Sequence, residues 1–264
     1  MEQFEAVAAT PSRTSRMLAG AVAHDQEQGV ERLPFTIKRV HSDEDMRKAV
    51  QIRHAAYARH IPEFAQTLIE PEHSDYEDDC VVLLAESKLD GSPLGSLRIQ
   101  TNLHRALSVE DSVELPAYLQ GRRLAEVTRL GIGEGRIGRV VKVALIKASF
   151  EYCEANNIEY AVVTGRAPID RQYEQLLFSD VFEDKAPVPL SHVGNIPHRV
   201  MQFEIATGEQ RWTAAAHPLL GFFRHIKHPD IDIGAKRAPR VQRSRLARPM
   251  APPSVVRARE LLLA

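Results

Sequence analysis

The sequence predicts an α/β (α+β) protein built on a mixed, mainly antiparallel sheet flanked by helices. Three observations carry that expectation. The chain opens its patterned region with a strand followed by a helix. Two apolar runs are joined across Asp90-Gly91, a tight-turn signal that makes them an antiparallel hairpin. A long helical pattern then leads directly into another strand pattern.

Residues 1 to about 34 mix Ala, Ser, Glu and Gln without a sustained period and are expected to be a flexible extension. Phe35 to Val40 alternates apolar and polar residues, as a half-buried strand does. Ser42 or Asp43 can cap a helix running from Glu44 to about His60. Tyr76 to Glu86 and Leu94 to Thr101 form the hairpin, and Leu124 to Ile132 is a further strand. From Arg136 to Asn157, Ile137, Val140, Val141, Ala144, Leu145, Ala148 and Tyr152 recur at steps of three and four, which puts one apolar helix face against a sheet. Ile158 to Thr164 follows as a strand, then a short helix from about Asp170 to Leu177, and final strands near His198 to Ile205 and Gln210 to Trp212. These boundaries divide the chain into an extension (1–34), a catalytic-sized domain (35–215) and a basic, proline-containing tail (216–264).

Composition removes several classes. With 44% hydrophobic, 26% charged and 6% aromatic residues the chain is an ordinary globular protein. No run approaches the ~18 to 20 apolar residues that cross a bilayer, and the weakly apolar Met17–Ala23 is a poor export signal, so a cytoplasmic location is expected. Cys80 and Cys153 sit in apolar patterns and read as packing residues of a reduced compartment. The net charge of −1 conceals an asymmetry: from Phe222 onward ten Lys/Arg oppose three Asp/Glu. That basic tail raises a nucleic-acid-binding alternative, but its arginines lie among prolines without aromatics to stack on bases. At the other extreme, Glu70, Glu72, Asp75, Glu77, Asp78 and Asp79 form an acidic knot against the strand that starts at Cys80.

Gly133-Glu134-Gly135-Arg136-Ile137-Gly138 matches a dinucleotide fingerprint, yet it follows a hairpin rather than opening a parallel βαβ unit, and no acidic residue closes the next strand. The turn still favours an anion, because helix N-terminal amides are unpaired there. Arg136, Arg139 and Lys142 crowd the same turns against the helix dipole, a placement that an anionic partner justifies. Arg53 and Tyr57 stand four apart on the first helix, on the stripe of Val50, so the guanidinium points inward and needs carboxylates, with Asp75 and Asp78 the nearest supply. Arg98 adds a second cation, and Glu126 and Arg129 lie within an otherwise apolar strand.

Taken together, Arg53 with Tyr57, Asp75-x-x-Asp78, Arg98 and Glu126-x-x-Arg129 resemble the order and spacing of functional positions in acyl-homoserine lactone autoinducer synthases. Leu115-Pro116, Ala125-Glu126-Val127-Thr128-Arg129-Leu130 and Ile196-Pro197-His198 resemble still more the N-acyl amino acid synthases, N-acyltyrosine synthases among them. Both are GNAT acyltransferases, and the resemblance covers about Phe35 to Trp212. It implies a GNAT-like, V-split sheet with an acyl thioester along the fourth strand and an amine entering from the other side. It also implies an N-acyltransferase that moves a long-chain acyl group from acyl carrier protein to an amino acid or similar amine. No metal centre and no tightly bound cofactor are expected; the acyl-acyl carrier protein, or acyl-coenzyme A, is a co-substrate. GNAT acetyltransferases hold the coenzyme A pyrophosphate on Q/R-x-x-G-x-G/A. With Gly138 as the last position, Arg136 stands where a glycine belongs, which favours a carrier protein over coenzyme A. A coenzyme A-dependent acetyltransferase acting on a small amine is the alternative.

On that reading Gly133, Gly135, Arg136, Gly138, Arg139 and Lys142 receive the phosphopantetheine arm, and Arg53, Tyr57, Asp75, Asp78 and Arg98 shape the substrate site. Glu126 serves as base through water, Arg129 orients it or holds the acceptor's carboxylate, and amides near Thr128 to Leu130 stabilise the oxyanion. Residues three apart on a regular strand face opposite ways, so a β-bulge between Glu126 and Arg129 is expected, eased by Gly131 and Gly133.

Overall fold

The computed structural model describes residues 29–234. The elements run β1 (Gly29–Val30), β2 (Phe35–Arg39), α1 (Asp43–Ala58), α2 (Pro62–Ala65), β3 (Cys80–Ser87), β4 (Pro93–Thr101), β5 (Leu124–Ile132), α3 (Arg136–Ala155), β6 (Tyr160–Gly165), α4 (Asp170–Gln175), β7 (Ser179–Asp180), β8 (Val188–Leu190), β9 (Ile196–Glu204), α5 (Gly208–Ala214), β10 (Ile226–Lys227) and β11 (Ile231–Asp232). The main sheet has the order β11-β2-β3-β4-β5-β6-β9-β7, with β8 also on β9. Neighbours are antiparallel except β11/β2 and β5/β6.

Each major element has a local cause. The Ser42 side chain accepts from the Asp45 amide at 3.1 Å and starts α1, with Asp43, Glu44 and Asp45 at the positive end of its dipole. Helix α3 buries Val141, Ala144, Leu145 and Ala148 against Leu83, Leu97, Ile99, Ala125 and Val127 on one face of the sheet. On the opposite face α1 lays Met46, Ala49 and Val50 on Val82 and Leu84.

Three expectations need correction. The first hairpin strand begins at Cys80, because His73–Tyr76 closes a 3₁₀ turn in which the Asp75 carboxylate accepts from the Glu72 amide at 2.9 Å. Gln210 to Trp212 belongs to helix α5, where Trp212 is fully buried among aromatic rings rather than alternating on a strand. Two-residue strands β1, β7, β10 and β11 carry no period to read. Finally, the folded body passes the expected boundary at residue 215 and reaches Gly234. Phe223 stacks on Trp212 with centroids 4.9 Å apart, and the buried Lys147 ammonium donates to the carbonyls of Phe222 (2.8 Å) and Ile226 (2.5 Å). Ile231 and Asp232 then add a parallel edge to β2. The Met17–Ala23 run and the arginines from Arg240 to Arg248 lie outside the described residues. Among the described residues no helix is long and apolar enough to cross a membrane.

The feature that positions the site is the parting of β5 and β6. They pair in parallel from Leu124/Tyr160 to Val127/Val163 and no further, while β6 stays paired to β9 through Gly165. Beyond Val127 the β6 side of β5 therefore has no strand partner among the described residues.

Candidate active site

Three arginines converge beneath α1. The fully buried Arg53 makes a bidentate pair with Asp75 at 2.8 and 3.0 Å and reaches Glu72 at 3.3 Å. From β4, Arg98 donates to Glu72 at 3.0 Å and to the Ser74 hydroxyl at 2.7 Å. From β5, Arg129 Nε and Nη2 grip the two Glu72 oxygens at 2.6 and 2.7 Å, and Nη2 also donates to the His192 carbonyl at 2.9 Å. Burial alone raises the Glu72 pKa, but the Arg129 hydrogen bond and the charges of Arg129, Arg98 and Arg53 outweigh it and bring the carboxyl down to about 2. Asp78 is exposed at the end of the same turn, and Glu72 is the second carboxylate that holds the cluster. Glu72 was visible in the sequence only as one acid of the knot; its place three residues before Asp75 in the turn was the available signal.

No extra residue lies between Glu126 and Arg129, where the bulge was expected; the irregularity falls at Arg129 and Leu130 themselves. Gln100, Ile99 and Arg98 oppose Glu126, Val127 and Thr128 in regular register, whereas Ser96 opposes Gly131, so Arg129 and Leu130 together face Leu97. Arg129 adopts φ 54°, in the left-handed region that ordinary side chains rarely enter. That turn brings its guanidinium to Glu72 on the face that also carries Glu126. The kink has a neighbour that enforces it: a β-carbon on Gly131 would lie 2.8 Å from the Arg53 Cα, so α1 packs directly on the strand backbone there.

Glu126 is fully buried. Its carboxylate accepts from the Val109 amide at 3.1 Å and stands 3.4 Å from His192 Nε2. Desolvation raises its pKa to about 7, and burial with the charges of Arg129 and Arg98 lowers that of His192 to about 4. Neither side chain lines the cleft, where Glu126 was expected to act as base through water.

The cleft itself, about 470 Å³, occupies the gap between β5 and β6. Tyr57 and Phe64 wall one side, Val127 to Leu130 and Ile132 the β5 side, and Gly133, Gly135 and Gly138 the turn into α3. A β-carbon on Gly138 would run into the Gly133 carbonyl, which is why this turn needs glycine. Arg139 and Lys142 line the cleft, whereas Arg136 is exposed outside it. Lys142 donates to the Gln172 side chain at 2.7 Å, and burial lowers its pKa. Arg166 and His198 also line the cleft; sequence reasoning had given neither a role, although His198 lies in a quoted motif.

A mixed sheet whose central strands part beyond Val127, with a glycine turn and helix N-terminus at one end, has the GNAT fold, and the family match makes it an amide-forming acyltransferase. A family model described as N-acyl amino acid synthase FeeM matches residues 48–204, and the chain belongs to that family. Among solved structures, FeeM, an N-acyl amino acid synthase from uncultured soil microbes, is similar with TM-score 0.52 and 16% identity, covering 71% of this chain and 96% of that one. A coenzyme A-dependent acyl-homoserine lactone synthase, BjaI, is similar with TM-score 0.50 and 14% identity over 74% and 93%. A GNAT-family protein of Desulfovibrio desulfuricans, provisionally assigned as an acetyltransferase, has TM-score 0.46 and 14% identity over 65% and 99%. A search of curated protein sequences finds no match.

Proposed function

We propose that this enzyme transfers a long-chain acyl group from acyl carrier protein to the amine of an amino acid or a closely related small molecule. One observation carries the reading: Arg59, Arg129, Arg139, Lys142 and Arg166 line the cleft, and among the described residues no Asp or Glu does. Such a cleft favours anions at both ends. At the α3 end Arg139, Lys142 and the unpaired amides of the turn suit a phosphopantetheine phosphate. The exposed Arg136 beside it suits the acidic surface of a carrier protein better than a pyrophosphate held inside the cleft.

At the other end two guanidinium groups suit the acceptor's carboxylate. Arg166 donates to the His60 carbonyl at 3.2 Å and forms no ion pair among the described residues. Arg129 Nη1 is buried without a hydrogen-bond partner there. Between the ends, Tyr57, Phe64, Val127 and Leu130 give apolar surface for the acyl chain, and the unpaired edge of β5 beyond Val127 offers amides to the oxyanion. The Arg53, Arg98, Glu72 and Asp75 network holds Arg129 in place.

Steady-state assays with the same acyl group on acyl carrier protein and on coenzyme A, and with the twenty standard amino acids as acceptors, test this reading. Turnover of the carrier-bound donor to an N-acyl amino acid is expected, and R166A should raise the acceptor KM by on the order of tenfold or more, the effect of losing a charged hydrogen bond. Turnover confined to acyl-coenzyme A would overturn the carrier, and an unchanged KM in R166A would overturn the carboxylate site.

A further inference from the structure

An acceptor amine is protonated at neutral pH, and an ammonium has no lone pair with which to attack. The cleft wall must therefore supply a base. Glu126 is sealed behind the wall, and burial raises the pKa of Tyr173, which keeps its phenol protonated. His60 stands exposed.

His198 has what is needed. It lies on β9, one residue before the strand begins to pair with β6 at Arg199, and its backbone is fixed by pairing with Val188 of β8. The residue lines the cleft and is 8% exposed. Nδ1 is 2.7 Å from the carbonyl oxygen of Ile196, two residues back. A carbonyl oxygen has no proton to give, so Nδ1 must carry the hydrogen, and in the neutral ring the lone pair then resides on Nε2. The neighbourhood keeps the ring neutral. Burial lowers its pKa, the Ile196 carbonyl works the other way, and the Arg166 and Arg129 guanidinium groups reinforce the lowering. His192, the other imidazole coupled to it, is itself held neutral by burial.

We propose that His198 Nε2 is the catalytic base of acyl transfer, taking a proton from the acceptor ammonium so that the nitrogen lone pair can bond to the thioester carbon. The neutral amine then forms the C–N bond, and the tetrahedral intermediate collapses with cleavage of the C–S bond, its surplus nitrogen proton passing to the departing thiolate. The imidazolium releases its proton to solvent, so that amide and free phosphopantetheine thiol leave and the ring is again neutral. Arg166, which also acts on His198, would hold the acceptor's carboxylate while its amine meets Nε2.

This inference rests on the amino acid reading above, and the experiment separates the two. Wild type, H198Q and H198N are assayed with an acyl-acyl carrier protein donor against two acceptors: the amino acid mixture, and hydroxylamine, whose nitrogen is already unprotonated at neutral pH and a strong nucleophile. Products are quantified by mass spectrometry against enzyme-free controls. Both variants should lose amino acid turnover by on the order of 10²–10⁴-fold while hydroxamate formation falls far less. Equal amino acid turnover in wild type and variants would overturn the proposal. Parallel loss of both reactions in both variants would also overturn it, by marking His198 as structural. Should wild type make hydroxamate but no N-acyl amino acid, the acceptor reading fails; a simple alkylamine, protonated at neutral pH, then replaces the amino acids and the same comparison decides on His198.

Discussion

Replacing Glu72 with alanine is expected to destabilise the protein by about 3–5 kcal/mol, the cost of leaving buried charge without its partner. Glu72 receives hydrogen bonds from Arg53, Arg98 and Arg129, which come from three separate elements. With it gone, Asp75 remains against Arg53 and Arg98, and Arg129 keeps only the His192 carbonyl. E72Q, which retains an acceptor but no charge, should lose less than E72A. Urea unfolding midpoints for the three proteins check the order, and a loss below about 1 kcal/mol in E72A would show that the cluster does not hold the fold. The pH dependence has a defined sign. The folded-state pKa of about 2 lies below the ordinary 4.5, so the stabilisation is present above 4.5 and disappears as pH falls through 2.

The second large effect is expected from E126Q, and in the opposite direction along the pH scale. Desolvation holds the Glu126 carboxyl at about 7 instead of 4.5, so the folded state prefers it protonated. That preference favours folding below pH 4.5 and is lost as pH rises through 7, a change of about 3 kcal/mol across the window. Glutamine stays neutral throughout and can still accept from the Val109 amide. Relative to wild type, E126Q should therefore gain about 3 kcal/mol between pH 4.5 and pH 8. His192 titrates with the opposite sign, its stabilising contribution falling away below 6.5, but it is common to both proteins. Parallel stability curves for wild type and E126Q would show that the carboxyl is not desolvated in the folded chain.

The sequence by itself determined the elements that carry a long period or a strong punctuation mark. The apolar stripe of α3, the Ser42 cap of α1 and the Asp90-Gly91 hairpin are each decided within a few residues, by side-chain spacing, a single hydrogen bond and a turn conformation. The inward stripe shared by Val50 and Arg53 likewise sufficed to require a buried carboxylate near α1. Which carboxylate it would share was not local information. Glu72 meets Arg98 and Arg129 only because β4 and β5 lie side by side under the same turn, and a sequence of six acids in ten residues does not rank them. The bulge was legible as a need, since Glu126 and Arg129 are three apart. Its position was settled by the contact of Gly131 with α1, a packing constraint between residues 78 apart. Glu126 looked available for catalysis because a strand pattern does not show what lies above it; the Val109 turn and His192 close over it only in three dimensions. The addition of residues 216–234 was hidden for the converse reason: Phe223 and Lys147 secure that segment by contacts with Trp212 and the Phe222 and Ile226 carbonyls, and two-residue strands at a sheet edge form because a neighbouring strand offers unpaired backbone groups, not because their own sequence prefers it.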